Sequence, residues 1–337
     1  MLLFGSLAVF FVQFFALGVP APFLPTSPAG VAVGPHAVGV IFSSFPLGTV
    51  LVGPLVPRAL EMFGARLVVS IGLVCSAASA LAFALVPTLL SGGSPLALTV
   101  TFSVCRLFGG AAAAACETGT FTALCMSDWG PRMGTVFAAI EVNVGLAISL
   151  GAALGGWLYR AGEATPVGAF GLPFVCTAAS QLLLLGLVAQ SIPGRAPPSS
   201  TPAVARRGGA RVWTVGRVAT LLSVVVWTAT GDGLLPVLGP HLAQVSGLDT
   251  SQVGQVFALN SVIYMLASLP MGLLVDRASV VPRRKPVMAA GWAVLTLGYV
   301  LIGPVAAALP NHTMPLTLVA MAVIGVASSA CIVPTIP

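Results

Sequence analysis

Long apolar runs separated by short polar intervals dominate this chain. Ten of them lie at about 2–24, 37–57, 67–87, 97–125, 134–158, 171–192, 218–239, 252–274, 287–307 and 316–336. As helix, with a rise of ~1.5 Å per residue, each is long enough to cross roughly 30 Å of hydrocarbon. The runs are richer in Gly, Ala and Leu than barrel strands and far longer than the ~10 residues such strands need, so the pattern predicts helices. The fold class expected is all-α: a polytopic bundle of ten membrane-spanning helices.

Composition narrows the function classes. Of the 337 residues, 57% are hydrophobic and 7% charged, with a mean hydropathy of +1.04. Roughly 25% charge is usual for a soluble protein, so a soluble enzyme, a disordered chain and a nucleic-acid-binding domain are excluded. The first charged side chain is Arg58. The N-terminal run has no basic lead-in and is longer than a signal-peptide core, so it reads as the first span. The six cysteines fall in or beside apolar runs with no C-x-x-C pair, which argues against a disulfide framework or zinc site. No cofactor or metal is expected.

The net charge of +6 is explained by where the basic residues sit. Arg58 and Arg66 follow span 2, and Arg132 follows span 4. Arg195, Arg206, Arg207, Arg211 and Arg217 follow span 6. Arg277, Arg283, Arg284 and Lys285 follow span 8. The opposite loops hold only Arg160, and Arg106 lies inside span 4. The positive-inside rule puts the even-to-odd loops and the N-terminus in the cytoplasm. Residues 193–217 are rich in Pro, Ser, Gly and Arg, without an acid, and read as a flexible linker on an anionic leaflet. Asn311-His312-Thr313 is a glycosylation sequon on the non-cytoplasmic side.

Six spans, a basic linker and further spans suggest a repeat. Glu61, in Pro57-Arg58-Ala59-Leu60-Glu61-Met62-Phe63-Gly64-Ala65-Arg66, aligns with Asp276 at an offset of 215 residues, close to the spacing of spans 1 and 7. Parallel repeats of six spans are a transporter construction, with substrate held between the halves. The division expected is a six-helix bundle over 1–192, a basic cytoplasmic linker over 193–217, and a second bundle over 218–337 with four of six helices. A full second repeat would run roughly 70 residues further, enough for two more spans, so the sequence reads as C-terminally shortened from twelve.

The loop Gly272-x-Leu274-x-Asp276-Arg277, followed by Arg283-Arg284-Lys285, resembles the inter-helix signature of the major facilitator superfamily. In the first-half copy Pro57, Glu61 and Met62 replace the usual glycine, aspartate and arginine, while Gly64 and Arg66 keep their places. The resemblance implies a latch between helix ends on the cytoplasmic face, formed by Glu61, Gly64, Arg66, Gly272, Asp276, Arg277, Arg283, Arg284 and Lys285. Arg106-Leu107-Phe108-Gly109-Gly110 is similar to the superfamily's intramembrane arginine motif. Gly145, Gly151, Gly155 and Gly156 sit in a stretch like its glycine-rich antiporter motif, with Gly151-Ala152 in place of Gly-Pro. Small residues of this kind let helices approach closely.

Within the superfamily, Ala139-Ile140-Glu141-Val142-Asn143-Val144-Gly145, Gly155-Gly156-Trp157-Leu158-Tyr159, Pro270–Arg277, Leu301-Ile302-Gly303-Pro304 and Val333–Pro337 resemble the vesicular amine and polyamine transporter family. That resemblance implies proton-coupled antiport of a cationic amine into an acidic compartment. Glu141 falls on the family's span-5 glutamate. Asp232 lies three residues before the acid–proline position, occupied here by Leu235-Pro236. Vesicular, endomembrane and plasma-membrane locations all fit. The partners expected are a small-molecule substrate, protons and the bilayer, with the chain a monomer.

An ionised side chain at mid-bilayer costs ~2.5–3.5 kcal/mol on insertion scales, so it seeks a partner or a wet cavity. Arg106, Glu117, Glu141 and Asp232 fall inside spans. Arg106 and Glu117 are 11 residues apart and share a helix face, but are ~16 Å apart along the axis, too far to pair. A carboxyl group in a low-dielectric cavity can hold a proton near neutral pH, and when ionised it attracts an ammonium group. Glu141 is the favoured shared site, with Asp232 and Glu117 behind it. Asn143, Asn260 and Gln181 line the cavity or bond between helices. Trp227 and Tyr264 read first as interface anchors and second as cation–π faces. An intramembrane enzyme is disfavoured: no acids pair within two or three residues, and His36, His241 and His312 are isolated in loops. The alternatives to amine antiport are a non-transporting shortened relic and a transporter of another small organic solute.

Overall fold

The computed structural model describes residues 1–127, 129, 133–194, 215–275, 284–305 and 313–332. All regular elements among these residues are helical. They are α1 (Leu2–Gly18), α2 (Pro28–Val33), α3 (Pro35–Val52), α4 (Val56–Phe63), α5 (Ala65–Leu89) and α6 (Pro95–Cys125), then α7 (Met133–Gly162), α8 (Gly168–Ser191), α9 (Val215–Ser246), α10 (Thr250–Val275), α11 (Arg284–Val300) and α12 (Thr313–Ile332). With α3 and α4 taken together, nine helices among the described residues are long and apolar enough to cross a membrane, and α1 is a shorter apolar helix. The chain is an all-α polytopic bundle of about ten spans.

Local chemistry sets several boundaries. Ser27 and Ser94 cap α2 and α6, their side chains accepting from the amides of Gly30 and Ala97 at 3.2 Å, each with proline in the first turn. The stretch 58–66, expected as a loop, is largely helix: α4 winds to Phe63, and Gly64 stops it at φ 80° before α5 begins. α9 starts inside the predicted linker and runs past Pro236 and Pro240 to Ser246, taking His241 out of the loop expected for it. His36 likewise sits in the first turn of α3. In hydrocarbon the backbone has no water to bond, so a spanning helix persists through proline. α11 ends in a π turn, Leu301–Val305, around Pro304, which cannot donate to the helix ladder.

Glycine lets the helices touch. A side chain at Gly110 would strike the carbonyl of Phe45, and one at Gly48 the carbonyl of Leu107, so α3 and α6 meet backbone to backbone. α7 does the same twice. Gly151 and Gly155 lie against the carbonyls of Phe15 and Val19 at the end of α1, while Gly145 faces α10. Leu183 (81% exposed) and Leu89 (75% exposed) point outward, as lipid-facing positions should.

One apolar cluster joins early α8 (Phe174) to late α9 (Leu238, Leu242), so the end of α8 and the start of α9 lie away from it, at the end of the bundle here called the linker end. The opposite end is sealed by this cluster, the largest, which joins Phe23, Phe83 and Phe174 of the first six spans to Leu238, Leu242 and Val253 of the last four. The other clusters never mix the two sets. Val9, Leu73 and Val188, then Phe10, Leu124 and Ile140, and Val56 with Val68 belong to the first six spans. Leu295, Ile324 and Cys331 belong to the last four. The two sets thus share an apolar core at the far end, while α7 and α10 continue in contact toward the middle.

Overpacking a filled contact typically costs ~1–3 kcal/mol. Gly110→Val is therefore expected to lower the thermal unfolding midpoint in detergent. Gly186→Ala, where an added Cβ meets nothing within 4 Å, should leave it level or raise it.

Candidate functional site

Glu141 lies in the first third of α7, half-buried, on the face that Gly145 presents to α10 one turn later. A Cβ at Gly145 would sit 3.2 Å from Tyr264 Cδ1 and 3.2 Å from Met265 Cβ. The missing side chain brings the Tyr264 ring onto α7, and the Tyr264 hydroxyl donates to Glu141 Oε2 at 2.6 Å. Tyr264 is 7% exposed, so it is a core residue and not the interface anchor first expected. On its other side stands the ring of Trp227 from α9, 6.1 Å away between centroids. Carboxylate, phenol and indole thus come from three helices, one in the first six spans and two in the last four. Asn260, one turn before Tyr264 on α10, has a buried Oδ1 with no hydrogen-bond partner among the described residues.

Asn143 faces the other way and ties α7 to α1, its Nδ2 donating to the Leu7 carbonyl at 2.9 Å. The side chain of Asp232 lies outside the described residues. Glu117 is half-buried on α6 and makes no hydrogen bond or ion pair with another described residue. Arg106 is buried within the first six spans, its guanidinium 4.7 Å from the Phe45 ring centroid and 5.7 Å from that of Phe42. It borders a cavity of about 30 Å³ shared with Ser76, Ser79 and Gln181. Beside it runs a polar chain of which the sequence singled out Gln181 but not Ser76 or Gln13. Gln181 Nε2 donates to Ser76 Oγ at 2.9 Å, and Ser76 donates to Gln13 Oε1 at 3.3 Å. The one available signal was Gln13 itself, a lone amide in an otherwise apolar α1.

Of the expected latch, Glu61 is exposed on α4 and Gly64 takes its positive φ. Arg66 Nε donates to the Ile192 carbonyl at 2.9 Å, fastening the start of α5 to the end of α8. Gly272 is half-buried in α10, and Lys285 is exposed at the start of α11. Asp276, Arg277 and Arg283 lie outside the described residues, as does the side chain of Arg284. Gly145, Gly151, Gly155 and Gly156 are all buried in α7.

The one ion pair among the described residues is at the far end. Arg160 Nη1, in the last turn of α7, meets Asp249 Oδ2 at 2.8 Å. Asp249 also caps α10: its Oδ1 accepts from the Gln252 amide, and Gln252 Oε1 accepts from the Asp249 amide, both at 2.9 Å. The aspartate is held rigid by its own helix while it grips the other set of spans.

Residues 6–337 match the family model described as Major Facilitator Superfamily. The chain is similar to the protein named MFS-type transporter SLC18B1 of Mus musculus, 25% identical over 319 residues that cover 94% of this chain and 66% of the relative. The Homo sapiens protein of the same name is 25% identical over 322 residues, with the same coverage. The chain thus spans 66% of the length of these relatives. Among solved structures, the fold matches a D-xylose-proton symporter with TM-score 0.69 and 16% identity, covering 99% of this chain and 80% of that one. A partially occluded inward-open form of the xylose transporter XylE from E. coli matches with TM-score 0.72 and 15% identity, covering 99% and 84%.

Arg160→Glu and Asp249→Arg should each loosen the far end. The measurement is alkylation of Leu238→Cys, buried in the far-end cluster, in a background lacking the exposed Cys75 and Cys125. An exposed ion pair contributes ~0.2–1 kcal/mol, so each single change should raise the rate about two- to fivefold, and the double swap should restore it.

Proposed function

The chain belongs to the Major Facilitator Superfamily, and from that premise we propose that it is a proton-coupled antiporter of a cationic amine, with Glu141 as the group that proton and amine occupy in turn. The observation that carries this reading is the Glu141 carboxylate at the meeting of α7 and α10, bonded to Tyr264 beside Trp227. A carboxylate bonded to a phenol whose ring packs on an indole offers an ammonium group charge and a hydrogen-bond acceptor with aromatic faces close by. A neutral sugar would need several polar partners, and an anion would need a cation here.

In this reading residues 1–192 and 218–337 are the moving bundles and 193–217 the cytoplasmic linker, so the linker end faces the cytoplasm. The apolar seal at the far end, and clusters confined to one set of spans elsewhere, fit a state closed to the outside and accessible from the cytoplasm. The amine enters from the cytoplasm and takes the carboxylate. The bundles reorient, a proton from the acidic side replaces the amine, and the protonated form returns. Asp232, Glu117, Arg106 and Asn143 surround this path or brace it. The segments carrying Glu61, Gly64, Arg66, Gly272, Asp276, Arg277, Arg283, Arg284 and Lys285 hold the cytoplasmic ends in each state.

The test uses the purified chain in liposomes with an acidic lumen and labelled spermidine, with xylose as the neutral control. Spermidine should accumulate, collapse of the pH gradient should release it, and xylose should not enter. Glu141→Gln should lose at least about tenfold of both gradient-driven uptake and spermidine–spermidine exchange, the loss expected for a charged hydrogen-bond acceptor. Native uptake by that variant would reject the reading.

A further inference from the structure

The bond between Tyr264 and Glu141 does more than orient a carboxylate, because it joins two helices that belong to opposite sets of spans. The bond is short, 2.6 Å, and a hydroxyl donating to an ionised carboxylate is held about twice as strongly as one donating to a neutral group. The other oxygen, Oε1, has no hydrogen bond from a described residue. Among described residues, then, the phenol is the hydrogen-bond partner of the Glu141 carboxyl group.

We infer that Tyr264 is the coupling element of the exchange cycle: its hydroxyl tethers the two bundles while Glu141 is empty and ionised, and either a proton or an ammonium group on Glu141 releases it. This rests on Glu141 being the shared site proposed above. Protonation turns the acceptor into a neutral acid and halves the bond. An ammonium group brings its own N–H donors and positive charge to the same oxygens. Both occupants therefore lower the cost of separating α7 from α10, and the vacant carrier stays locked. That asymmetry is what makes an exchanger obligatory, since neither substrate can cross unless the other brings the carrier back.

The surroundings leave Tyr264 as the group suited to the task. Among the described residues α1, α8 and α10 make the main contacts with α7. None of these three contains an acidic or basic residue, and their only titratable side chains are Cys176 on α8 and Tyr264 itself. The end of α6 reaches α7 through Leu124, in the cluster that holds Ile140, and the nearest acid on α6, Glu117, stands seven residues back from Leu124. On α7 the nearest other ionisable residues are Tyr159 and Arg160, more than two dozen ångströms further along the axis at ~1.5 Å per residue. Asp232 lies on α9, which packs on α10. The ring of Tyr264 is held independently of its hydroxyl by Gly145 and Trp227. Removing the hydroxyl alone should leave the packing intact.

The experiment compares Tyr264→Phe with the native chain in liposomes loaded with labelled spermidine, at equal alkaline pH on both faces. Two rates are read: efflux into spermidine-free buffer, which needs the empty carrier to return, and exchange against external spermidine, which does not. In the native chain efflux should be slow and exchange fast. In Tyr264→Phe the ratio of efflux to exchange, read within the one variant, should rise at least about tenfold, the loss expected for a charge-assisted bond. Glu141→Asp keeps the charge but draws it back by one methylene, so it should raise the same ratio with Tyr264 in place. An unchanged ratio in Tyr264→Phe overturns the inference. Glu141→Gln run alongside separates the two claims: if it exchanges spermidine like the native chain, the site itself is wrong, whatever Tyr264 does.

Discussion

α7 rests against α1 on one side and α10 on the other, and both contacts depend on backbone meeting backbone. Gly151 and Gly155 make the first possible, and Gly145 with Gly254 the second, where a Cβ at Gly254 would lie 2.7 Å from the Ala152 carbonyl. Within a bilayer there is no hydrophobic drive to press helices together, so close packing and interhelical hydrogen bonds must do it. The same closeness brings the Tyr264 phenol within reach of Glu141. Widening the seam by one methyl group would separate donor from acceptor while leaving every helix formed.

The ten apolar runs were legible because length and hydropathy alone identify a spanning helix. Their ends were less so. The extension of α9 through His241 and the π turn after α11 lie where runs hydrophobic on every face leave no periodicity to mark a boundary, whereas α4 is a short amphipathic helix whose Arg58 and Glu61 made it read as a charged loop. In the candidate site, Glu141 stood out because an acid in an apolar run is costly. Its partner did not, since Tyr264 is 123 residues away and nothing local says that spans 5 and 8 are neighbours. Tyrosine also favours membrane interfaces, which is why burial at the centre was not the first expectation. Gln13 and Ser76 were passed over for a similar reason: one amide and one hydroxyl in different spans announce themselves only when the spans are placed side by side.

That polar chain shows a contrast between the two sides of the molecule. Within the first six spans, Gln13, Ser76 and Gln181 bond to one another, and Arg106 lies over aromatic rings beside them. These groups connect α1, α5, α6 and α8 and fix their order, much as a buried polar residue fixes register elsewhere. Between the two sets of spans, the side-chain bonds among the described residues are of another kind. One is the phenol on a carboxylate, and the other is an ion pair open to water. Contacts within the first six spans are amide-to-hydroxyl and dry, while those between the sets involve ionisable groups.

The far-end seal brings aliphatic and aromatic side chains from both sets of spans together without a charged group. Apolar association near room temperature is driven by water entropy and carries a large heat-capacity change. Cooling weakens it, while the hydrogen bond at the centre of the bundle does not share that dependence. The two fastenings that hold this conformation therefore have different thermal signatures. Cooling loosens the first fastening more than the second, and temperature acts on the two ends of the seam separately.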